Sequence, residues 1–210
     1  MLHKKTVDKS TIELLTSLQS RTYLTGFHLV GGTALALKIG HRKSIDLDLF
    51  SNFSFDEGQL LENLSSDFDY NLFYSASNTL KGSINDVKVD ILAHRYPLAD
   101  QPVVEEGIHM LSLKDITAMK LNAIAVSGQR VKDFIDIFFL LQSFSLEEML
   151  SFYKKKYIQY NEVNVLKSLI YFEDIDFSDW PEMVVEHELT WKEIQTKLET
   201  TVKSYLNRKL

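Results

Sequence analysis

The chain has 210 residues, no cysteine and a formal net charge of −6, with ordinary apolar and charged fractions of 45% and 25%. That length and composition suit one large or two small folded units and argue against a disordered chain, and the lack of cysteine excludes a disulfide scaffold and a thiolate metal site. The acidic balance argues against a broadly basic surface for duplex DNA and leaves room for a local basic site. The polar N-terminus, MLHKKTVDKS, leads into no apolar signal core. The best apolar run, 137–141, lies beside Asp133 and Asp136 and is far too short for a membrane span. A cytoplasmic protein with no membrane partner is expected, and the lack of cysteine suits a reducing compartment.

In chain order, residues 11–23 are predicted helical from apolar positions at Ile12, Leu15 and Leu18. Residues 27–30 form a short apolar strand that ends at Gly31-Gly32, and 33–39 a short helix rich in alanine and leucine. Strict alternation makes 44–50 a strand; 55–64 is helical, 71–75 and 80–84 are candidate strands, and 86–92 alternates again. Pro97 and Pro102, followed by Gly107, mark a linker. Beyond it, 113–126, 131–144, 146–157, 162–172 and 191–205 are predicted helices. The expected organisation is an α/β (α+β) domain over 1–108, with a small mixed sheet, and a helical domain over 109–210.

Side chains alternate across a strand, so Ile45, Leu47 and Leu49 are expected to face a core while Ser44, Asp46 and Asp48 face the other way. Carboxylates at i and i+2 have roots about 6.5 Å apart. Their oxygens can meet on one Mg²⁺, or on two ions about 3.5–4 Å apart. A cation also removes the repulsion between them. On 86–92, Val87, Val89 and Ile91 form the apolar face and Lys88 and Asp90 the polar one. Beside the first strand, Asp90 becomes a third oxygen donor of the kind Mg²⁺ takes. The plain alternative is a set of solvent-facing aspartates on an amphipathic sheet. Gly31-Gly32-Thr33 weighs against it: glycines let a triphosphate come close to the backbone, and the helix that follows offers free N–H groups and a positive dipole end. Thr33 either caps that helix or contacts a phosphate.

This order resembles the nucleotidyltransferase fold of the DNA polymerase β type: a glycine turn, a D-x-D about a dozen residues on, and a distant third carboxylate. The resemblance implies an NTP co-substrate and two-metal phosphoryl chemistry. A closer resemblance is carried by the strings FHLVGGTALAL (27–37), GHRKSIDLDLF (40–50), LKDITAMK (113–120) and RVKDFIDI (130–137), with YFED (171–174) and Pro181 near Met183. Together they look like the AbiEii/AbiGii group of nucleotidyltransferase-like toxins from bacterial toxin–antitoxin and phage-defence systems. That resemblance implies a phosphate contact at Ser44, a triphosphate-binding lysine at Lys120, a required carboxylate at Asp133, tRNA, at its 3′ end, as the acceptor, and functional pairing with an antitoxin.

Read from the residues alone, Lys120 shares a helix face with Ile116 and Ile124 and needs an anionic partner, which is either Asp133 or a triphosphate. Asp136 is expected to pair with Lys132 at i,i+4. His41-Arg42-Lys43 is either a solvated turn or a phosphate or RNA contact, with Arg42 the nucleotide-binding candidate. Ser112 and Asp115 have the spacing of a capping box, Lys154-Lys155-Lys156 is expected on a solvated helix face, and Asp174-Ile175-Asp176, with no glycine turn before it, is taken as non-catalytic. Two rival functions use the same residues: transfer to a small-molecule antibiotic, and NTP binding without catalysis.

Overall fold

The structure is a computed structural model that describes residues 1–209. Their order is α1 (Lys9–Gln19), β1 (His28–Val30), α2 (Gly31–Ile39), β2 (Leu47–Ser51), α3 (Glu57–Asp67), β3 (Asn71–Ala76), β4 (Thr79–Ile84), β5 (Val87–Ala93), β6 (Val103–Glu105) and β7 (Ile108–Met110). The helices α4 (Leu113–Val126), α5 (Val131–Leu140), α6 (Leu146–Lys156), α7 (Glu162–Leu169) and α8 (Trp191–Asn207) follow. The strands form one seven-stranded mixed sheet in the order β3-β4-β5-β2-β1-β7-β6. Among the described residues no helix is long and apolar enough to cross a membrane.

Two compact units result: a sheet unit, Met1–Pro97 with Gln101–Ser112, and a helical unit, Leu98–Asp100 with the chain from Leu113 onward. A hairpin follows the Pro97–Pro102 segment directly. Glu106 and Gly107 both take positive φ (50° and 82°), as a two-residue turn requires, and set Glu105 opposite Ile108. β7 then adds parallel to β1, Leu29 against Met110, so the sheet runs past residue 108. Strands of three residues carry too little alternation to show in the sequence.

In the sheet unit Leu29, Leu47, Leu49, Leu80, Val89 and Ile91 are fully buried. They alternate with the polar positions, as a sheet with one covered face requires. The helical unit centres on α5, where every residue except Lys132 and Phe138 is buried. Phe134 meets Trp191 and Phe172 edge-on at 5.8 Å each, and Phe177 meets Trp191 at 5.2 Å. Ser145 and Glu148 close a reciprocal cap on α6, as Thr190 and Glu193 do on α8. Each cap is worth about 1 kcal/mol.

The lysine run at 154–156 is a solvated face at Lys154 and Lys155 but not at Lys156. Lys156 is fully buried, with Nζ 2.9 Å from Asp115 Oδ1, and Lys155 Nζ donates to the Ala99 carbonyl at 2.6 Å. The buried stripe of Met149, Leu150 and Tyr153 reaches Lys156 at helical spacing, which turns its stem inward. Asp115, also fully buried, accepts from the backbone N–H groups of Ala99 (2.9 Å) and Asp100 (3.0 Å). Its role therefore extends well beyond the helix start. Removing one member leaves an uncompensated buried charge. Asp115→Ala is expected to cost about 3–5 kcal/mol in urea unfolding. The double variant Asp115→Ala/Lys156→Met should lose less than the sum of its single variants.

Candidate active site

The site begins where β1 turns into α2. Val30 is the last strand residue, and Gly31, at φ +69°, swings the chain directly into the helix. The N-cap residue Val30 supplies no side-chain cap to α2, and the first turn holds no acidic residue. Its leading N–H groups are thus left to backbone, water or an anion. A Cβ at Gly31 would collide with Asp48 Oδ2, and one at Gly32 would stand 2.5 Å from Arg42 Nη2 and 3.3 Å from Ser44 Oγ. The two glycines hold open the space between the helix start and three polar side chains.

Asp48 sits opposite Val30 in the antiparallel β1–β2 pair and opposite Asp90 in the parallel β2–β5 pair. Side chains at matched positions share a face, so β1, β2 and β5 bring Val30, Asp48 and Asp90 into one row, with the glycine turn directly after Val30. Asp46 is half-buried, like Asp48, and precedes the strand, which starts at Leu47 rather than at Ser44. Continued pairing would put Asp46 opposite Gly32, where the partner is already helix. The segment is held by other bonds: Ser44 N–H donates to the Thr6 carbonyl at 3.0 Å, and the Thr33 hydroxyl bonds the Asp46 carbonyl and lies 2.8 Å from Ser44 Oγ. One expected core residue is lost as a result. Leu47 and Leu49 are buried, but Ile45 is 63% exposed.

Thr33 is buried and does not act as the cap of α2; it fixes Ser44 and Asp46. The basic turn is not solvated either. His41 and Arg42 are buried, Lys43 is half-buried, and the Arg42 guanidinium lies beside Gly32 with Nη1 donating to the Lys43 carbonyl at 3.0 Å.

Asp90 is buried. Its Oδ2 lies 3.2 Å from Lys88 Nζ and 3.8 Å from Lys81 Nζ. Its Oδ1 has no hydrogen-bond partner among the described residues. An orphaned buried carboxylate oxygen is costly, and a cation or a donor group from a substrate relieves that cost. Burial, then the charge of Asp90, pushes the Tyr70 phenol up, and its hydroxyl donates to the Val89 carbonyl at 3.2 Å. The sequence pointed to Lys88 by parity but not to Lys81. The signal was available in Asn85-Asp86, a two-residue turn with both φ values positive (49° and 64°), which pairs Lys81 with Asp90.

Among the described residues no three acidic or histidine side chains form a finished metal cage. The donor set still fits Mg²⁺, which binds through one or two carboxylates, keeps water and takes its other ligands from substrate phosphates. Asp46 and Asp48 are half-buried, Asp90 contributes the orphaned oxygen, and the glycines leave room for the phosphates.

In the helical unit Lys120 Nζ lies 2.6 Å from Asp133 Oδ1 and 2.6 Å from Asp136 Oδ2, all three groups buried. Asp136 thus joins Lys120, and Lys132 pairs with Asp179 instead. The four-residue spacing offered Lys132, but the buried side of α5 turns Asp136 inward toward α4. Asp174 and Asp176 are exposed; Asp176 Oδ1 accepts from the Ser178 N–H at 2.8 Å.

The profile of the nucleotidyl transferase AbiEii toxin family, of type IV toxin–antitoxin systems, matches residues 13–208. The chain belongs to this family. It is therefore a nucleotidyltransferase of the toxin class, a group that uses NTP and typically a divalent metal. A relative in Aquifex aeolicus (strain VF5), aq_aa25, is 33% identical over 204 residues, covering 94% of this chain and 97% of that one. Two solved structures share the fold. JHP933 from Helicobacter pylori has TM-score 0.55 at 18% identity, over 94% of this chain and 92% of its own. MenT4, a nucleotidyltransferase toxin from Mycobacterium tuberculosis H37Rv, has TM-score 0.59 at 14% identity, over 92% and 80%.

The glycine turn gives a direct test. Gly31→Ala forces a positive φ on a residue with a Cβ and drives that Cβ into Asp48. It should cost about 1–3 kcal/mol in denaturant unfolding and lower nucleotidyl transfer under conditions where the variant is fully folded.

Proposed function

We propose that Asp46, Asp48 and Asp90 hold two Mg²⁺ ions against a nucleoside triphosphate, and that the enzyme moves the nucleoside monophosphate onto a tRNA hydroxyl. The acceptor oxygen bonds to the α-phosphorus, the bond from that phosphorus to the α–β bridging oxygen breaks, pyrophosphate leaves, and the hydroxyl proton passes to the Asp90 carboxylate. When bound, the metal supplies charge for the phosphoryl oxygens and lowers the pKa of the attacking hydroxyl. The chain's own residues do the positioning. Gly31 and Gly32 admit the phosphates to the first turn of α2. Arg42 and Ser44, beside Gly32, supply a guanidinium and a hydroxyl to the same anion. Thr33 orients Ser44 and Asp46.

Lys120 and Asp133 enter this reading as residues required for activity, with Lys120 as a triphosphate ligand oriented by its ion pairs to Asp133 and Asp136. The enzyme would act as a toxin in the cytoplasm, arresting growth by blocking tRNA, with a paired antitoxin relieving the arrest.

The observation that carries the reading is the pairing of Asp48 with Asp90 beside the glycine turn, with one Asp90 oxygen buried and unpartnered. The test is incubation of the protein with Mg²⁺, each α-labelled NTP and total tRNA. Label on tRNA is the expected outcome, abolished by EDTA and reduced on the order of a thousandfold by Asp46→Asn, Asp48→Asn or Asp90→Asn. Transfer to an aminoglycoside in place of tRNA, NTP binding with no turnover, or undiminished transfer by Asp48→Asn would each overturn it.

A further inference from the structure

The row that starts beside the glycine turn does not stop at Asp90. Across β4 and β3 it continues with Lys81, paired to Asp90, and Tyr74, paired to Lys81. The order along one face of the sheet is Val30, Asp48, Asp90, Lys81, Tyr74, with Lys88 one pleat from Asp90. β3 is the edge strand. Its pairing skips Phe73 at a bulge between Leu72 and Tyr74, and Phe73 and Tyr74 are 61% and 54% exposed. A bulge re-aims side chains, and two exposed rings on an edge strand are unusual without a ligand or partner.

Phosphoryl transfer is an in-line displacement, so the attacking and leaving oxygens approach from opposite sides of the phosphorus. The proposed triphosphate site at the α2 N-terminus puts the leaving pyrophosphate on the β1 side of Asp48. The acceptor must then arrive from the β5–β4–β3 side. That side carries two ammonium groups and the open ring of Tyr74, with Phe73 exposed at the bulge beside it, the combination that holds a single-stranded nucleic acid by its phosphates and base faces. A cationic small molecule would meet Lys81 and Lys88 with like charge. A duplex presents no free base face to the rings.

We infer that Phe73, Tyr74, Lys81 and Lys88 form the acceptor-binding surface of the enzyme and that it takes a single-stranded RNA end. Phe73 and Tyr74 stack the last unpaired bases. Lys81 and Lys88 contact the phosphates between them while screening Asp90. This rests on the nucleotidyl-transfer reading given above and extends it to the acceptor.

The test uses the full-length protein and a fluorescein-labelled 12-nucleotide single-stranded RNA with a free 3′ hydroxyl. Anisotropy measures its affinity, and transfer assays give KM for RNA and for NTP separately. Phe73→Ala and Tyr74→Ala should each weaken RNA binding about fivefold or more and raise KM for RNA with KM for NTP unchanged. Lys81→Met and Lys88→Met should weaken binding and flatten its salt dependence, and Lys81→Arg should restore it. A blunt RNA duplex of the same length should bind more weakly than the single strand. Wild-type affinity in all four variants overturns the inference, as does equal affinity for the duplex. So does a β3-mediated dimer that Tyr74→Ala splits while RNA binding is unaffected. Transfer to RNA with wild-type KM in the variants removes this surface and leaves the proposed function standing. Variant-sensitive RNA binding in a protein that labels no RNA keeps the surface and removes the proposed reaction.

Discussion

The parallel register of β2 and β5 is the constraint on which the site depends. Asp48 is level with Asp90 only because Leu47 pairs with Val89 and Leu49 with Ile91, all four fully buried. A one-residue slip of β2 would send Asp48 into the apolar side and both leucines out, away from Asp90. Hydrophobic burial on one side of the sheet therefore fixes the positions of the acids on the other. Two carboxylates held this close would repel each other in an otherwise apolar setting; Lys81 and Lys88 supply the countercharge seen at Asp90.

The same economy recurs at the start of α2. One glycine at positive φ ends β1, begins the helix and clears the space in front of Asp48. Because β1 becomes helix so early, Asp46 has no strand opposite it and is tied down through Thr33 instead. The helical unit solves its own buried-charge problem twice, with Lys120 between Asp133 and Asp136 and with Lys156 against Asp115. Such pairs contribute little net stability over apolar packing but cost several kcal/mol to break on one side, so their presence in the core ties the packing to a specific arrangement.

The alternation of residues 44–50 and 86–92 made the acids and their two-faced strands legible, as the 3.6-residue pattern did for α4, whose bounds coincide with the expected 113–126. Features that depend on what lies across from a residue did not show. The start of β2 depends on where β1 ends, and the exposure of Ile45 follows from that. The pairing of Asp90 with Asp48 is a property of two strands together. β6 and β7, just after Pro102, did not show because three-residue strands carry almost no periodicity. Charged residues misled in the opposite sense. The sequence offered Lys132 to Asp136 and solvent to Lys156, and burial of their helix faces gave both other partners. Local spacing shows which ion pairs are geometrically open, but packing decides which of them form.

Residues Leu98–Asp100 leave the sheet unit, spend three positions within the helical unit and return to build β6 and β7. Two of their amides end on a carboxylate, Asp115, that lies beyond the last strand. The chain therefore crosses between units more than once, and no single cut separates them. A fragment ending at Ser112 would keep all the strands yet strand the Ala99 and Asp100 amides. An evolutionary exchange of the helical half would likewise have to carry this short excursion with it.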